Sequence, residues 1–387
     1  MGAYTIGCAN GYQARIMRQA GGMTGQGITP EVAGDLKEII TASWGRIRKR
    51  AAEAQVVVSK CPSNCGFITQ SSNWTGVDPW AHELWLYRDS ALAFQGPIVN
   101  IKETRSTFII TARDMTQWLY VREVREPYNQ TWTVPGVAHS LINTYFTPSD
   151  PDLMRHVVTF PYSSGPITVE YDRSQYTVGQ KWDELISNGL DYTTVGRSIY
   201  IMDNSKPPNF DYPFMIDADK ILGEIELEKN GLDYGNHVVC LGEGIVYGIG
   251  PSASDEAYYG KVTFPPNRFN MVKDQGQLNT VTRDFYQAKR NLTPRLVVPQ
   301  GSGLAPDTVV YNELYAMSPN ALKMAFSHFI PGFRFDVRVG EEFCQPGSYP
   351  MVLSELAVMW DPETEGGPET TNVSFENLPA GDDNGEA

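Results

Sequence analysis

Few residues of this sequence could carry out chemistry, and none of them stands in a recognisable catalytic setting. His82-Glu83 begins like the His-Glu-x-x-His helix of zinc proteases, in which both histidines bind the metal. Position 86 is Leu where the second histidine would stand, and the surrounding residues alternate as they do in a strand. The pair therefore predicts no zinc site.

The five cysteines also lack the spacing of a known site. Cys61 and Cys65 are four positions apart, which is one residue too far for a thioredoxin-type pair, and no second pair follows to complete a zinc site. An odd number of cysteines in a long chain favours reduced thiols. A loop disulfide between Cys61 and Cys65 in the mature protein is the alternative.

The signature loops of common enzymes are missing as well. The sequence contains no Gly-x-Ser-x-Gly nucleophile elbow, no phosphate-binding Gly-x-x-x-x-Gly-Lys-Ser/Thr loop and no Gly-x-Gly-x-x-Gly at the start of a helix. Asp and Glu total 45, so the composition allows a glycosidase pair of carboxylates but does not locate one. We therefore expect no catalytic residue, no cofactor and no metal ligand.

Three tryptophans offer a possible platform for sugars. Trp74, Trp80 and Trp85 surround a loop and a strand, and indole rings stack well on carbohydrate. Packing in a core or between subunits is the favoured alternative, because aromatic side chains dominate both.

The elements that would position these residues are strands at both ends of the chain and mixed structure between them. Two runs with strand character flank Asp89-Ser90 and predict a hairpin. Helical spacing follows over residues 115–121, 137–145, 177–189 and 276–290, and a short helix is predicted over residues 29–40, with Pro30 in its first turn.

Together these patterns predict a β-rich α+β fold made of several units, as the length of 387 residues also suggests. Five segments are expected: an N-terminal arm (1–43), a first β-rich, barrel-like domain (44–128), an α+β domain (129–230), a second β-rich, barrel-like domain (231–362) and an acidic, partly disordered tail (363–387).

Charge and hydropathy limit the function classes. The net charge of −14 argues against a sequence-independent nucleic-acid binder, because phosphate contacts need clusters of Lys and Arg. Eight acidic residues in positions 361–387 supply over half of that charge, which predicts a solvated C-terminal segment. No apolar stretch long enough to span a membrane and no signal peptide is visible, so synthesis in the cytosol is expected.

One region of the sequence resembles the minor tail proteins of long-tailed phages that infect actinobacteria. The resemblance is carried by WAHELWLYRDSALAFQGPIVNI (residues 80–101) and TARDMTQWL (residues 111–119), with further matches at residues 189–201 and 329–339. The motif residues singled out in this region are Trp80, His82, Glu83, Arg88, Asp89, Gly96, Pro97, Arg113, Asp114 and Trp118.

The resemblance implies a tail hub: two small β-barrel tube domains with an α+β insert, assembled as a trimeric ring whose six barrels mimic a sixfold tube. Partners would be copies of the chain itself, the distal tail ring protein, the tape-measure protein and other minor tail or tip proteins. DNA would pass through the ring without specific binding, and the protein would be assembled in the host cytoplasm and reside at the tip of the virion tail.

The motif residues also have a structural interpretation. Arg88 and Arg113 each precede an aspartate at a turn, where an Arg fork can clamp a carboxylate or a carbonyl. Asp114 is placed to cap the helix at 115–121. Gly96-Pro97 within a strand suggests an edge or a bulge at which a neighbouring subunit could dock.

Two functions of other classes remain as alternatives to a structural hub. A cell-wall hydrolase of the tail tip would need an acidic or Cys/His cluster in a pocket. A carbohydrate- or receptor-binding tail protein would need an exposed aromatic platform.

Overall fold

The computed structural model describes residues 2–5, 7–18, 31–69, 76–124, 127–145, 156–159, 166–172, 175–203, 207–209, 211–229, 231–269, 272–290, 294–312, 329–364 and 368–378. The elements of the first 113 residues are β1 (Gly2–Thr5), β2 (Tyr12–Arg18), β3 (Glu31–Asp35), β4 (Ile39–Ile47), β5 (Glu53–Ser59), α1 (Pro62–Ile68), β6 (His82–Arg88), β7 (Ala91–Glu103) and β8 (Thr107–Arg113).

The middle of the chain contains one 3-10 helix and two α-helices. Its elements are a 3-10 helix (Met115–Val121), β9 (Tyr128–Thr133), α2 (Val134–Tyr145), β10 (His156–Thr159), β11 (Pro166–Tyr171), α3 (Val178–Ser187), β12 (Leu190–Val195) and β13 (Ser198–Asp203).

Short strands and two further helices follow. They are β14 (Phe214–Asp217), a 3-10 turn (Ala218–Lys220), β15 (Ile221–Leu222), β16 (Glu226–Glu228), a 3-10 turn (Gly231–Asp233), β17 (Val238–Leu241), β18 (Val246–Ile249), α4 (Ala253–Tyr259), β19 (Asn267–Arg268), α5 (Gln275–Arg290), β20 (Arg295–Val297), β21 (Ser302–Leu304), β22 (Val309–Asn312), β23 (Arg334–Val339), β24 (Gly347–Trp360) and β25 (Glu369–Asn377).

These strands form because apolar residues recur at every second position. In β5 the side chains of Ala54, Val56 and Val58 are buried, whereas Gln55 and Val57 are only half-buried. Such alternation places one face of a strand on a core and the other toward solvent. Helix α3 starts where its sequence predicts, with a capping box between Thr177 and Gln180.

Fifteen strands join in one large sheet. Its main path runs β1-β22-β14-β23-β24-β4-β5-β8-β7-β6-β2-β3, and β25 pairs with the other edge of β24 and leads on to β21 and β15. Both ends of this path are open, so the strands of the described residues close no barrel. The β-rich α+β class agrees with the sequence, and the two-barrel arrangement stays a prediction.

Strand β24 links the two β-rich regions. Its first half pairs with β23 and its second half with β4, while β25 pairs with the opposite edge of β24 from Met351 to Trp360. The β-rich regions share one hydrophobic core, to which Trp44, Phe108, Phe335 and Leu356 contribute. Smaller cores lie under α2 and α3 and under α5. The five-segment division itself stays a prediction.

Two local expectations are wrong. Residues 31–35 and 39–47 form β3 and β4, so the helix predicted over 29–40 does not form in the described part of that range. The acidic segment is not a solvated tail over residues 369–377, because β25 pairs with β24 along its length and buries Val373 and Phe375. Residues 379–387 lie outside the described residues.

Candidate functional site

The motif residues meet where β6, β7 and β8 join the 3-10 helix, beginning at the predicted hairpin. Asp89 and Ser90 form the turn between β6 and β7, both with positive φ (45° and 72°). Such φ values define a type I′ turn, whose twist matches that of paired strands. The Asp89 carboxylate accepts hydrogen bonds from the backbone N–H groups of Asn10 and Gly11, which fixes the preceding loop on the turn.

Arg88 clamps a carboxylate, as its motif position suggested, and the partner is Glu369 at the start of β25. The guanidinium donates from Nε and Nη2 to both carboxylate oxygens at 2.7–3.0 Å, and Nη2 also donates to the Gly7 carbonyl. The Glu369 side chain is 1% exposed. A bidentate pair of this kind is both strong and geometrically specific.

Two aromatic residues extend this contact into the core. The Tyr12 hydroxyl donates to Glu369 at 2.7 Å, and the Trp44 indole N–H donates to the Tyr12 oxygen at 2.9 Å. Burial and the neighbouring Glu369 carboxylate raise the pKa of Tyr12 well above its usual value, so the phenol stays a donor. The side chains of Trp44, Tyr12, Glu369 and Arg88 are therefore joined in one continuous hydrogen-bonded network.

Gly96 allows β7 to pass close to the end of β8. A Cβ on Gly96 would lie 1.8 Å from the carbonyl oxygen of Arg113, which no side chain can tolerate. The predicted edge is wrong, because β7 lies between β6 and β8 and both Gly96 and Pro97 are buried. The predicted bulge is present, as the register of β7 on β8 shifts between Ile98 and Asn100.

Asp114 caps the 3-10 helix that follows β8. Its carboxylate accepts from the Thr116 backbone N–H at 2.9 Å and hydroxyl, and from the Ala52 N–H at 2.6 Å. Burial raises the pKa of Asp114 to about 6, although these three donors act in the opposite direction. The capping role predicted from the sequence is thus found, together with an unpredicted tie to Ala52.

Glu83, on β6, binds the turn between β12 and β13 and so attaches the core under α2 and α3, here called the α+β core, to the large sheet. Its carboxylate is fully buried and accepts from Arg197 in the β12–β13 turn at 2.7 and 2.8 Å, and from the Trp85 indole at 2.9 Å. Its neighbour His82 is bound through Nδ1 to the backbone of Asp78, and burial lowers the pKa of His82. These contacts give both residues a structural role.

Another buried ion pair also attaches the β12–β13 hairpin to the large sheet, at the other end of the hairpin, where β12 begins. Arg48 follows β4 and donates to both oxygens of Asp191 and, from Nη1, to Glu376 at 2.7 Å. The side chains of Arg48 and Asp191 are 9% and 2% exposed. Together with Glu83–Arg197 and Arg88–Glu369, this contact locks the α+β core and the C-terminal strand onto the first strands.

Sequence reasoning missed Arg48, Asp191, Arg197 and Glu369. The ion-pair partner of each is distant in sequence, and no short sequence pattern links the two partners. The alternation of β25 places Glu369 on the same face as Thr371 and Val373, which is the one signal that could have indicated its burial.

Trp80 and Trp118 line an open groove beside this junction. Their rings meet edge to face at 5.2 Å, and the groove of about 590 Å³ is bordered by Trp80, Trp118, Val121, Arg122, Glu123 and Thr177. Trp85 does not join them, because its indole faces Glu83. Trp74, the remaining member of the predicted sugar platform, lies outside the described residues.

On the solvent-facing side of the large sheet, one row of side chains that runs across the strands contains no charged residue; it is called the uncharged row below. Directly paired residues share a face of a sheet, and one such row crosses six strands, or roughly 24 Å. Its members are Thr370, Met359, Ser43, Gln55, Thr111 and Asn100. Two ion pairs lie beside this row, Glu53 with Arg113 and Glu355 with Arg50, at 3.6 Å each.

Among the described residues, the remaining cysteine, histidine and carboxylate side chains form no metal-binding cluster or disulfide. All five cysteines are free thiols, including Cys61 and Cys65. Within the described part of the chain, no group of His, Cys, Asp and Glu side chains is arranged to hold a metal ion. No described helix is both long and apolar enough to cross a bilayer.

Comparison with solved structures identifies the fold. The chain is similar to the tail protein from Neisseria meningitidis MC58, with a TM-score of 0.57, 13% sequence identity and coverage of 96% of this chain and 99% of that one. It is also similar to the 43 kDa tail protein of prophage MuSo2 from Shewanella oneidensis, with a TM-score of 0.55, 10% identity and coverage of 95% and 98%.

No protein-family profile and no curated protein matches the sequence. The likeness to the two tail proteins therefore shows the fold, and it does so over almost the whole length of all three chains. Neither relative bears on the expected link to actinobacterial phages, which stays a prediction.

Proposed function

We propose that this chain is a non-enzymatic structural subunit of a phage tail, acting as the hub or minor tail subunit between the tail tube and the tail tip. The observation that carries the proposal is the end-to-end likeness to two tail proteins, one of them from a prophage, which leaves little of this chain for an added catalytic domain. The motif residues support it, since Arg88, Glu83 and Asp114 act in packing and capping.

In this proposal three copies form a closed ring. The strands on either side of β24 supply two tube-like, barrel-forming units per chain, so that three chains imitate a sixfold tube. The ring contacts the distal tail ring protein, the tape-measure protein and other minor tail or tip proteins. It is assembled in the host cytoplasm and resides at the virion tail tip of a long-tailed phage, as the resemblance to actinobacterial phage proteins suggests.

The uncharged row through Ser43, Gln55 and Thr111 would line the channel through which DNA leaves. Lysine and arginine side chains bind phosphates and release counterions, whereas carboxylates repel phosphates at close range. A face of hydroxyl and amide groups does neither. DNA could then slide past it without binding.

The test is the assembly state of the purified protein. We expect negative-stain images to show rings, and mass measurement to give three times the chain mass of 43.1 kDa. Antibodies against the chain should label the tail tip of intact particles. A compact monomer that is absent from particles would contradict the hub, and lytic zones on a gel containing cell wall would favour the hydrolase instead.

A further inference from the structure

Trp80 holds a backbone conformation that few bulky residues adopt. Its φ is +67°, in the left-handed region that favours glycine. Hydrogen bonds from the Trp80 N–H to the Ile98 carbonyl at 2.8 Å and from the Ala81 N–H to the Asp78 carbonyl at 3.3 Å hold it there. Such strain is costly and concentrates at sites that bind ligands. It therefore favours a role for the Trp80 side chain beyond packing.

The Trp80 and Trp118 indoles form a corner. Their ring centres are 5.2 Å apart and their planes meet at 65°, so the edge of one ring touches the face of the other. No ring can enter between them, but a ring placed beside their contact can lie on one indole and touch the other. Trp80 is 37% exposed, and the groove holds about 590 Å³. Sites for small organic molecules have volumes of roughly 300–1,000 Å³, so the corner offers an apolar surface in a cavity of ligand size.

A cation and an anion border the same groove. The Arg122 guanidinium lies 5.9 Å from the Trp118 ring centre, a cation–π contact that holds it at the corner. Its neighbour Glu123 is exposed and also lines the groove. A guanidinium carries several N–H groups and only donates hydrogen bonds, whereas a carboxylate only accepts them. Donors and acceptors therefore lie side by side at the rim of an aromatic surface.

This combination fits a sugar better than other classes of ligand. A pyranose ring presents C–H groups on its face, which pack on the negative face of an indole. Its rim carries hydroxyl groups, which both donate and accept hydrogen bonds and so can bond to a carboxylate and a guanidinium together. Because the charges of Arg122 and Glu123 are opposite and adjacent, the groove complements neither an acidic nor a basic peptide.

We propose that the Trp80–Trp118 groove binds a neutral oligosaccharide of the host cell surface. One pyranose ring packs on the Trp80 indole, and its hydroxyl groups bond to Arg122 and Glu123. Val121, which is 48% exposed, extends the apolar lining of the groove. The inference goes beyond the proposed tail subunit, because it requires neither a ring nor a channel, and it gives a structural subunit a direct contact with the cell.

Titration with sugars tests the site, with tryptophan fluorescence as the readout. The probes are short soluble oligomers of N-acetylglucosamine, glucose, mannose and galactose. We expect at least one to give a saturable change, with an affinity that varies less than about twofold between about 0.05 and 0.5 M salt, since a neutral ligand is not screened. No saturable change with any of these oligomers overturns the proposal, and binding that weakens steeply with salt contradicts a neutral ligand.

Trp80→Gly removes the indole without straining the chain, because glycine readily adopts the φ of +67°. We expect binding to weaken by about thirtyfold or more, as it does when a tryptophan hot spot is truncated, with little change in melting temperature. Trp132→Ala is the matched control, since Trp132 is 48% exposed on β9 and does not line the groove. Wild-type affinity in Trp80→Gly overturns the proposal.

Arg122→Gln and Glu123→Gln test the polar contacts. Each variant keeps an amide that can form hydrogen bonds but loses a charge-assisted one, so each should weaken sugar binding about tenfold. Arg105→Gln is the control, because Arg105 is an exposed arginine in the turn between β7 and β8. If neither groove variant weakens binding more than Arg105→Gln does, the assignment of the polar contacts is wrong.

Mass photometry separates this site from the proposed function. We expect Trp80→Gly to assemble as the wild type does. If no oligomer binds and Trp80→Gly also breaks up the assembly, the groove is a contact between protein subunits and the sugar site is refuted, while the tail subunit stands. If an oligomer binds and the wild type forms no ring, the sugar site stands and the ring hub falls.

Discussion

Arg88 and Glu369, 281 positions apart in sequence, form a buried bidentate ion pair that fastens the last described strand to the hairpin of the motif region. The pair explains why an arginine stands at the end of β6, directly before the Asp89-Ser90 turn. It also shows that the acidic C-terminal region contributes to the fold and is more than a solvated appendage.

Glu369→Gln should destabilise the protein by about 3 kcal/mol, because it leaves the mostly buried Arg88 guanidinium with only the more distant Asp89 carboxylate, at 3.9 Å, as a counter-charge. Urea unfolding followed by tryptophan fluorescence measures the change. Asp35→Asn is the control, since it breaks the exposed pair with Arg15 and should cost no more than about 1 kcal/mol. Equal losses in the two variants would argue against the buried pair.

Gly96→Ala should prevent normal packing of β7 against β8. The added methyl would lie 1.8 Å from the Arg113 carbonyl oxygen, so the strands must separate, at a cost of about 3 kcal/mol or more. Gly11→Ala is the matched control, because no atom lies within 4 Å of its Cβ position. The yield of soluble protein and the melting temperature distinguish them, and a well-folded Gly96→Ala protein would refute the close approach.

Asp114 should make stability depend on pH between about 4 and 6. Its pKa in the fold is about 6, against about 4 in an unfolded chain, so the folded state binds the proton more tightly. The stability it contributes is present below pH 4 and is lost as the pH rises through 6, by about 3 kcal/mol in total. In Asp114→Asn this pH dependence of the free energy of unfolding should vanish. If the variant keeps the wild-type pH dependence, it arises from another group.

Removal of residues 379–387 should leave the fold intact, whereas removal of residues 368–387 should abolish it. The longer deletion takes away β25, its pairing along β24 and the Glu369 carboxylate. Circular dichroism and protease resistance measure both proteins. Two equally stable truncations would mean that β25 is dispensable.

Lysines in the uncharged row should slow the release of DNA. Ser43→Lys, Gln55→Lys and Thr111→Lys would add three positive charges to the proposed channel lining, and their attraction to phosphate should weaken as salt increases. Asn129→Lys, Thr131→Lys and Thr168→Lys on the exposed face of β9 and β11 are the control. Equal ejection rates in both sets, measured by DNA-dye fluorescence, would place the row outside the channel.

Local features of the fold could be predicted from the sequence. The Asp89-Ser90 hairpin, the Thr177 capping box and the helix that Asp114 caps depend on side chains within a few residues of each other. Such contacts leave a pattern in a short window of sequence.

Long-range contacts could not be predicted in this way. The helix expected after Pro30 gives way to β3 and β4 because pairing in the large sheet outweighs local propensity. The acidic segment contains two carboxylates whose counter-charges lie far away in sequence, Glu369 with Arg88 on β6 and Glu376 with Arg48 after β4. Composition alone therefore made the segment look solvated. The Trp80–Trp118 contact likewise depends on a junction that no local pattern describes.

The position of β24 has a consequence for how the protein is made. Strand β4 leaves the ribosome early, yet its second neighbour is β24, near the other end of the sequence. Until translation reaches β24, the nascent chain holds β4 with an unpaired edge, and such edges invite aggregation and need chaperones. Prematurely terminated chains that lack β24 cannot complete this core.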